Sequence, residues 1–402
     1  MRIRSITFFA SPRWPVSELV LQKAGTFARH ARGAFESAGY PVQTVRLATP
    51  PFAEFLPPQG YLEAINLIEV LAHSEGFEYA SLGPALPSRP ETYRSVPEML
   101  ANSGNLFFSG HLTTDDGEVD LGAVRACAEI MHQAAPLEPN GFSNLRFAAL
   151  ANVPPWAPFF PAAYHRGKAP AFALAMEAAD LAVNAFSGAD SLAQARQNLI
   201  DLVEDHARQL ERVGEKLADA YEVTFKGLDL TPAPFPTQAI SLGLALERLG
   251  LPAFGLHGSL AASAFLTDTL DRAKYRRTGF NGLMLPLLED SILAQRGTEG
   301  VLRVKDLLMV AAVCGTGLDT IPLPGDTSVE QIQAVLLDLA ALALRLDKPL
   351  TARLMPIPGK KAGDLTGFDF EYFANSRVLA LEAEPLTGML AGEERFSIRK
   401  RG

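Results

Sequence analysis

Four short segments of this chain concentrate side chains able to do chemistry. The richest is Val313–Ser328, VCGTGLDTIPLPGDTS. Gly315 and Gly317 permit positive φ and close approach of the backbone to a ligand. Successive N–H groups around Thr316 could form an anion nest, so Gly315, Thr316 and Gly317 are candidate substrate-binding residues. Thr316, Asp319, Thr320, Asp326 and Thr327 crowd hard oxygens into one stretch, which suits Mg²⁺ or Ca²⁺. Asp319 and Asp326 are the candidate metal ligands. The spacing is neither an EF-hand nor a Walker A loop, since no Gly-Lys-Ser/Thr follows. Pro322 through Asp326 also read as a turn and helix cap. Cys314 lies beside two glycines whose N–H groups could lower its pKa, making it a candidate nucleophile; a small buried residue is the plainer alternative.

The second segment is Asn152–Arg166, NVPPWAPFFPAAYHR. Pro154, Pro155, Pro158 and Pro161 fix φ and make a stiff, extended stretch after an apolar strand. Tyr164 and His165 are held at its end, and His165 suits proton transfer near neutrality. The competing reading is a proline-rich cover packed through Trp156, Phe159 and Phe160. In the third segment, Ala169–Gly188, Glu177 and Asp180 stand three apart in an apolar run and would share one side of a helix. A buried carboxylate needs a partner, a proton or a metal, so Glu177 is a candidate acid–base residue, while Asp180 can end the helix. Asn184, in a following strand, could point into a site. The fourth is Met355–Asp364, where Pro358-Gly359 makes a turn. Lys360 and Lys361 follow it, placed for a phosphate or carboxylate, although exposed lysines are ordinary. Arg353, inside the preceding strand, needs a partner, and Glu289 or Asp290 can supply one.

These residues must be carried by strands and helices. Short apolar runs read as strands at Ser5–Ala10, Val42–Leu47, Asn105–Ser109, Phe147–Asn152, Leu181–Phe186, Leu283–Leu287, Ala352–Ile357 and Val378–Leu381, with weaker ones at Tyr79–Leu82 and Ile240–Leu244. Continuous rather than alternating apolarity points to strands covered on both faces. Helical spacing appears at Ser17–Ala38, at Ser191–Glu222 (one helix, or a hairpin broken near Gly214), and at Val329–Leu346, where Ser328 and Gln331 have capping-box spacing. Strand–helix alternation argues for an α/β fold, and some ten strands without a linker favour one large barrel over separate domains. The whole span 1–402 reads as one domain, with a short hinge near 231–237 and a flexible basic tail at 395–402.

The chain has 402 residues, 48% hydrophobic and 20% charged, the balance of a packed globular protein. A formal net charge of -9 disfavours nucleic acid as a partner. Two cysteines, Cys127 and Cys314, build neither a disulfide framework nor a zinc site. Val124, Cys127 and Met131 recur at helical spacing, so Cys127 reads as core. Met1–Ala10 is too short in its apolar run for a signal peptide, and no stretch approaches the roughly 18 apolar residues of a membrane span. A cytoplasmic protein that does not engage membranes is expected, and a homodimer is the base-rate assembly.

VCGTGLDTIPLPGDTS, ARLMPIPGKKAGD, PAFGLHGSLAASAFLTD and Phe159–His165 together resemble the recurring motifs of a bacterial and archaeal family, domain of unknown function number seven hundred and eleven. The resemblance runs from Ile3 to about Val378, and the first two motifs are the specific ones. That family is similar in fold to pyruvate formate-lyase, which implies a ten-stranded α/β barrel with amphipathic helices outside. The likeness stops short of mechanism. No Arg-Val-x-Gly-Tyr motif follows Asp364 and the two cysteines are far apart, so glycyl-radical chemistry is not expected. The leading expectation is an enzyme acting on a small anionic metabolite at the barrel centre. A divalent cation would sit on Asp319, with His165 and Glu177 doing acid–base work and Arg353 and Lys360 holding substrate charge. The alternative is a non-catalytic ligand-binding or regulatory protein on an inherited barrel, since relatives in a sister branch are paired with small amino-acid-binding regulators.

Overall fold

The computed structural model describes residues 1–57, 59–313 and 315–400. Cys314 lies outside the described residues, so the nucleophile expectation is not placed. Eleven strands form among the described residues, labelled in chain order: β1 Arg2–Phe9, β2 Val42–Pro51, β3 Tyr79–Gly83, β4 Leu106–His111, β5 Glu118–Asp120, β6 Phe147–Ala151, β7 Ala171–Glu177, β8 Thr224–Ala233, β9 Gly317–Pro324, β10 Leu350–Ile357 and β11 Arg395–Ser397. Nine of them make one mixed sheet in the order β8-β7-β1-β2-β3-β4-β6-β10-β9. β1, β2, β3, β4 and β6 run parallel. β7 and β10 lie antiparallel to them, on either flank, and carry β8 and β9 parallel to themselves.

The fold is thus mixed α/β with a nine-stranded sheet, where ten strands were expected. The run Leu283–Leu287 forms no ladder; only Pro286 bridges, opposite Asp319 of β9, and Arg277 earlier in the same segment bridges Leu228 of β8. Both edge strands therefore touch one segment.

One sheet face packs under helices: Ile3, Ile6 and Phe8 of β1 join Leu21, Ala24 and Phe27 of the helix Glu18–Ser37. The other face closes on the proline-rich segment. Phe9, Ala48, Ala171 and Ala173 pack with Phe160 and Ala163. Ala148 and Leu150 pack with Val153, Ala157 and Ala162. Prolines leave the segment's carbonyls free of helix, and the strands use them: Thr7 Oγ1 donates to the Pro158 carbonyl at 2.7 Å and Ser81 Oγ to that of Ala163 at 2.8 Å.

Several elements differ from the sequence reading. Ala171–Glu177 is a strand and Ala179–Ser187 a helix, the reverse of the expected order, so Asn184 is helical. β7 is buried throughout, so it carries no alternation by which to read it. Ile240–Leu244 falls in short helical turns, and Val378–Leu381 is not a strand. β8 and β9 contain Gly227, Pro232, Gly317, Pro322 and Pro324, residues that demote a strand by sequence; as the two sheet edges they tolerate proline. The proposed hinge begins inside β8. The helix Leu192–Tyr221 runs unbroken through Gly214, where an added Cβ would meet the Phe225 ring at 2.8 Å. The segment expected to be a flexible tail is paired at its start: β11 pairs with β5, and Arg395 meets Asp120 at 2.7 Å.

Candidate functional site

At the N-terminal ends of β1 to β4 the inner face leaves a cavity of about 90 Å³. Two β-bulges aim charges into it. In the β1–β7 ladder Ile3 pairs with Met176 and Ser5 with Ala175, leaving Arg4 as the extra residue turned to the cavity. In the β9–β10 ladder Ala352 faces Leu318 and Leu354 faces Ile321, so Asp319 and Thr320 stand opposite Arg353 alone. Thr320 has φ +47, strained for a β-branched residue. This bulge turns Asp319 onto the Arg353 guanidinium.

The charges form a chain. Arg353 Nε donates to Asp319, and its Nη2 donates to Glu289 Oε1 at 2.8 Å. Glu289 Oε2 accepts from Arg4, which also reaches the Pro234 carbonyl at 3.3 Å. Burial opposes ionisation of Glu289, but Arg4 and Arg353 outweigh it and hold the carboxyl below its usual range. Burial likewise pulls down Arg353, and Asp319 and Glu289 more than reverse it. Asp319, on one arginine only, is pushed up by burial against the pull of Arg353.

Arg46 of β2 is different. Its Nε donates to Thr44 Oγ1 at 2.8 Å, and no carboxylate pairs with it among the described residues. It lies over Phe160 and Tyr79, 5.1 and 5.8 Å from their ring centroids. Burial first, then repulsion from Arg4, lowers its pKa to about 9, so it stays positive at neutral pH. Tyr79, Phe107 and Phe160 form an aromatic wall, with Phe370 and Tyr372 lining the same space.

Sequence comparison fixes the family. The family described as Uncharacterised ACR (DUF711) matches residues 1–373. The chain belongs to the DUF711 family. It is similar to a UPF0210 protein of Pyrobaculum islandicum, 32% identical over 352 residues, covering 81% of this chain and 76% of the relative. It is also similar to a UPF0210 protein of Acetivibrio thermocellus, 28% identical over 354 residues with 82% and 77% covered. A third, from Neisseria gonorrhoeae, is 27% identical over 349 residues, again with 82% and 77% covered.

In this DUF711 member, Arg353 and Asp319 come together at the cavity, but the other expected site residues disperse. Asp326 is exposed on the turn beyond β9, a strand length from Asp319, so the two expected metal ligands do not converge. Asp319 is taken by Arg353, and the described residues hold no group of three His, Cys, Asp or Glu able to grip a metal ion. The Gly315 backbone crosses Gly282, where an added Cβ at 282 would sit 2.2 Å from the Gly315 nitrogen. Gly317 has φ +97 against Thr351 of β10, and Thr316 Oγ1 is spent on the Leu283 carbonyl. Lys360 and Lys361 sit on the turn after β10; the Lys360 carbonyl accepts from Gly325 and the Lys361 N–H bonds Asp364 at 2.7 Å. Glu177 closes β7 in a two-pronged pair with Arg2, at 2.6 and 3.0 Å.

His165 does not line the cavity. Its N–H bonds the Thr49 carbonyl near the end of β2, and neither ring nitrogen completes a hydrogen bond. Burial, then Lys226, pulls its pKa to about 4, against a small opposing effect of the Gly167 backbone. It is neutral at pH 7. Arg4 and Arg46 escaped the sequence reading, although the signal that picked out Arg353 applies to both: an arginine inside an apolar strand run, RIRSITFF and VQTVRLA.

Proposed function

We propose that this protein binds a small anionic metabolite in the Arg46 cavity. The observation that carries the reading is that Arg46 is a half-buried cation with no carboxylate partner among the described residues, while its neighbours are paired. A desolvated charge is costly unless something opposite in sign meets it. A bound acid would do so. The Nε of Arg46 is committed to Thr44, which leaves its two terminal nitrogens for a two-pronged contact with a carboxylate or phosphate. A thermal-shift screen of small carboxylates and phosphates, run on the full chain and on Arg46→Gln, tests it. At least one acid should raise the melting temperature of the wild type and not of the variant. No shift, or the same shift in both, overturns the proposal.

An enzymatic version keeps the same site. Asp319 lines a smaller compartment with Thr316, Thr351 and Phe280, which shares Phe159, Phe160, Met284 and Arg353 with the first. A carboxyl raised by burial beside a bound acid is placed to exchange a proton with it. Turnover lost in Asp319→Asn with binding retained would separate this version from binding alone.

The bridges from the segment Arg277–Pro286 to both edge strands support reading it as the tenth stave of a closed barrel similar to that of pyruvate formate-lyase. No helix among the described residues is long and apolar enough to cross a membrane, which accords with a cytoplasmic protein.

A further inference from the structure

We infer that the occupant of the Arg46 cavity is a flat, unsaturated monocarboxylate and neither a dicarboxylate nor a phosphate dianion. This rests on the reading of Arg46 as an anion site and narrows it.

Charge decides the first half. Arg4 and Arg353 are matched by Glu289 and Asp319, so these four side chains cancel. Arg46 is what remains, a single positive charge. The first negative charge to enter finds that guanidinium. A second would find Glu289, already shared between two arginines, and nothing cationic left free among the lining residues. It would be desolvated without a partner, beside a carboxylate of its own sign. The pocket therefore discriminates against dianions by repulsion as well as by lack of a contact.

Shape and lining decide the second half. About 90 Å³ holds a ligand of several heavy atoms and is well below the size of sites for nucleotides or cofactors. Next to Arg46 stand Tyr79, Phe107 and Phe160, with centroid separations of 5.4 Å from Tyr79 to Phe107 and from Phe107 to Phe160. Phe370 and Tyr372, 5.1 Å apart, also line the space. Ring faces and edges recognise a planar π-system better than a flexible chain. A planar acid also loses little rotational freedom on binding. The carboxylate lies on the Arg46 fork and the flat body against these rings.

The test is calorimetric titration of the full chain with crotonate, fumarate, crotonamide and inorganic phosphate. The first three share the same four-carbon trans frame and differ in charge. Crotonate should bind with one site per chain, at least tenfold tighter than fumarate, crotonamide or phosphate. Arg46→Gln should weaken crotonate at least tenfold, and Phe160→Leu severalfold, with both variants keeping the wild-type circular dichroism. Fumarate or phosphate binding as tightly as crotonate, and lost in Arg46→Gln, overturns the monoanion inference and leaves the anion site standing. Crotonamide binding as tightly as crotonate, binding unchanged in Arg46→Gln, or no binding by any of the four overturns both.

Discussion

Glu289 and Arg353 meet at 2.8 Å across 64 positions of sequence, and the other oxygen of Glu289 holds Arg4. One buried carboxylate thus joins β1 to β10, five strands away in the sheet order. Replacing it with glutamine leaves two arginines facing each other in a space of low polarity. Glu289→Gln should cost about 3–5 kcal/mol, the usual effect of removing one side of a buried pair. Urea denaturation of variant and wild type gives the number; a change within experimental scatter would show that the pair is solvated.

Gly282 and Gly315 cross so closely that a Cβ on the former would stand 2.2 Å from the backbone nitrogen of the latter. Gly282→Ala should therefore destabilise by about 2 kcal/mol or more, since backbone must move. Gly33, inside the helix Glu18–Ser37, has nothing within 4 Å of the same added atom. Gly33→Ala should stabilise by about 0.5–1 kcal/mol. Melting temperatures moving in opposite directions for the two alanines are the expected result.

Two buried histidines set the response to mild acid. Burial pulls His111 and His165 each down to about 4. Between the ordinary histidine value near 6.5 and about 4, the unfolded chain binds protons that the folded chain refuses. Stability therefore falls as pH drops through this window, and this contribution levels off below it. For His111 the loss approaches about 3 kcal/mol. Denaturation midpoints at pH 7, 6, 5 and 4 measure it, and His111→Asn should flatten the slope.

How far the sequence revealed this arrangement depends on what each residue was read against. Helices with one apolar side, such as Glu18–Ser37 and Val329–Arg345, stand out because one face meets water and the other the sheet. β7 does not, because both its faces are buried and its alanines suit a helix equally well. β8 and β9 were hidden by prolines that only an edge position excuses. At the site, Arg353 was legible as a cation in an apolar strand. Asp319 was singled out by its oxygen-rich surroundings, which say nothing of Arg353. It read as a loop oxygen for a cation; the structure sets it in a strand, where the bulge at Thr320 places it beside Arg353. A bulge between strands distant in sequence, which decides this pairing, is not written in local spacing. The proline-rich segment proved to be the packing that fills the inner face, through Phe160 and Ala163.

The most direct test of the account needs no ligand. If Arg46 is held in reserve for an anion, its charge costs the empty protein stability. Arg46→Met, which keeps an unbranched apolar stem and removes the charged head, should then be as stable as the wild type or more so by up to about 2 kcal/mol in ligand-free urea denaturation. A loss of about 2 kcal/mol or more would make Arg46 a structural residue, and the cavity would lose the feature that marks it as a binding site.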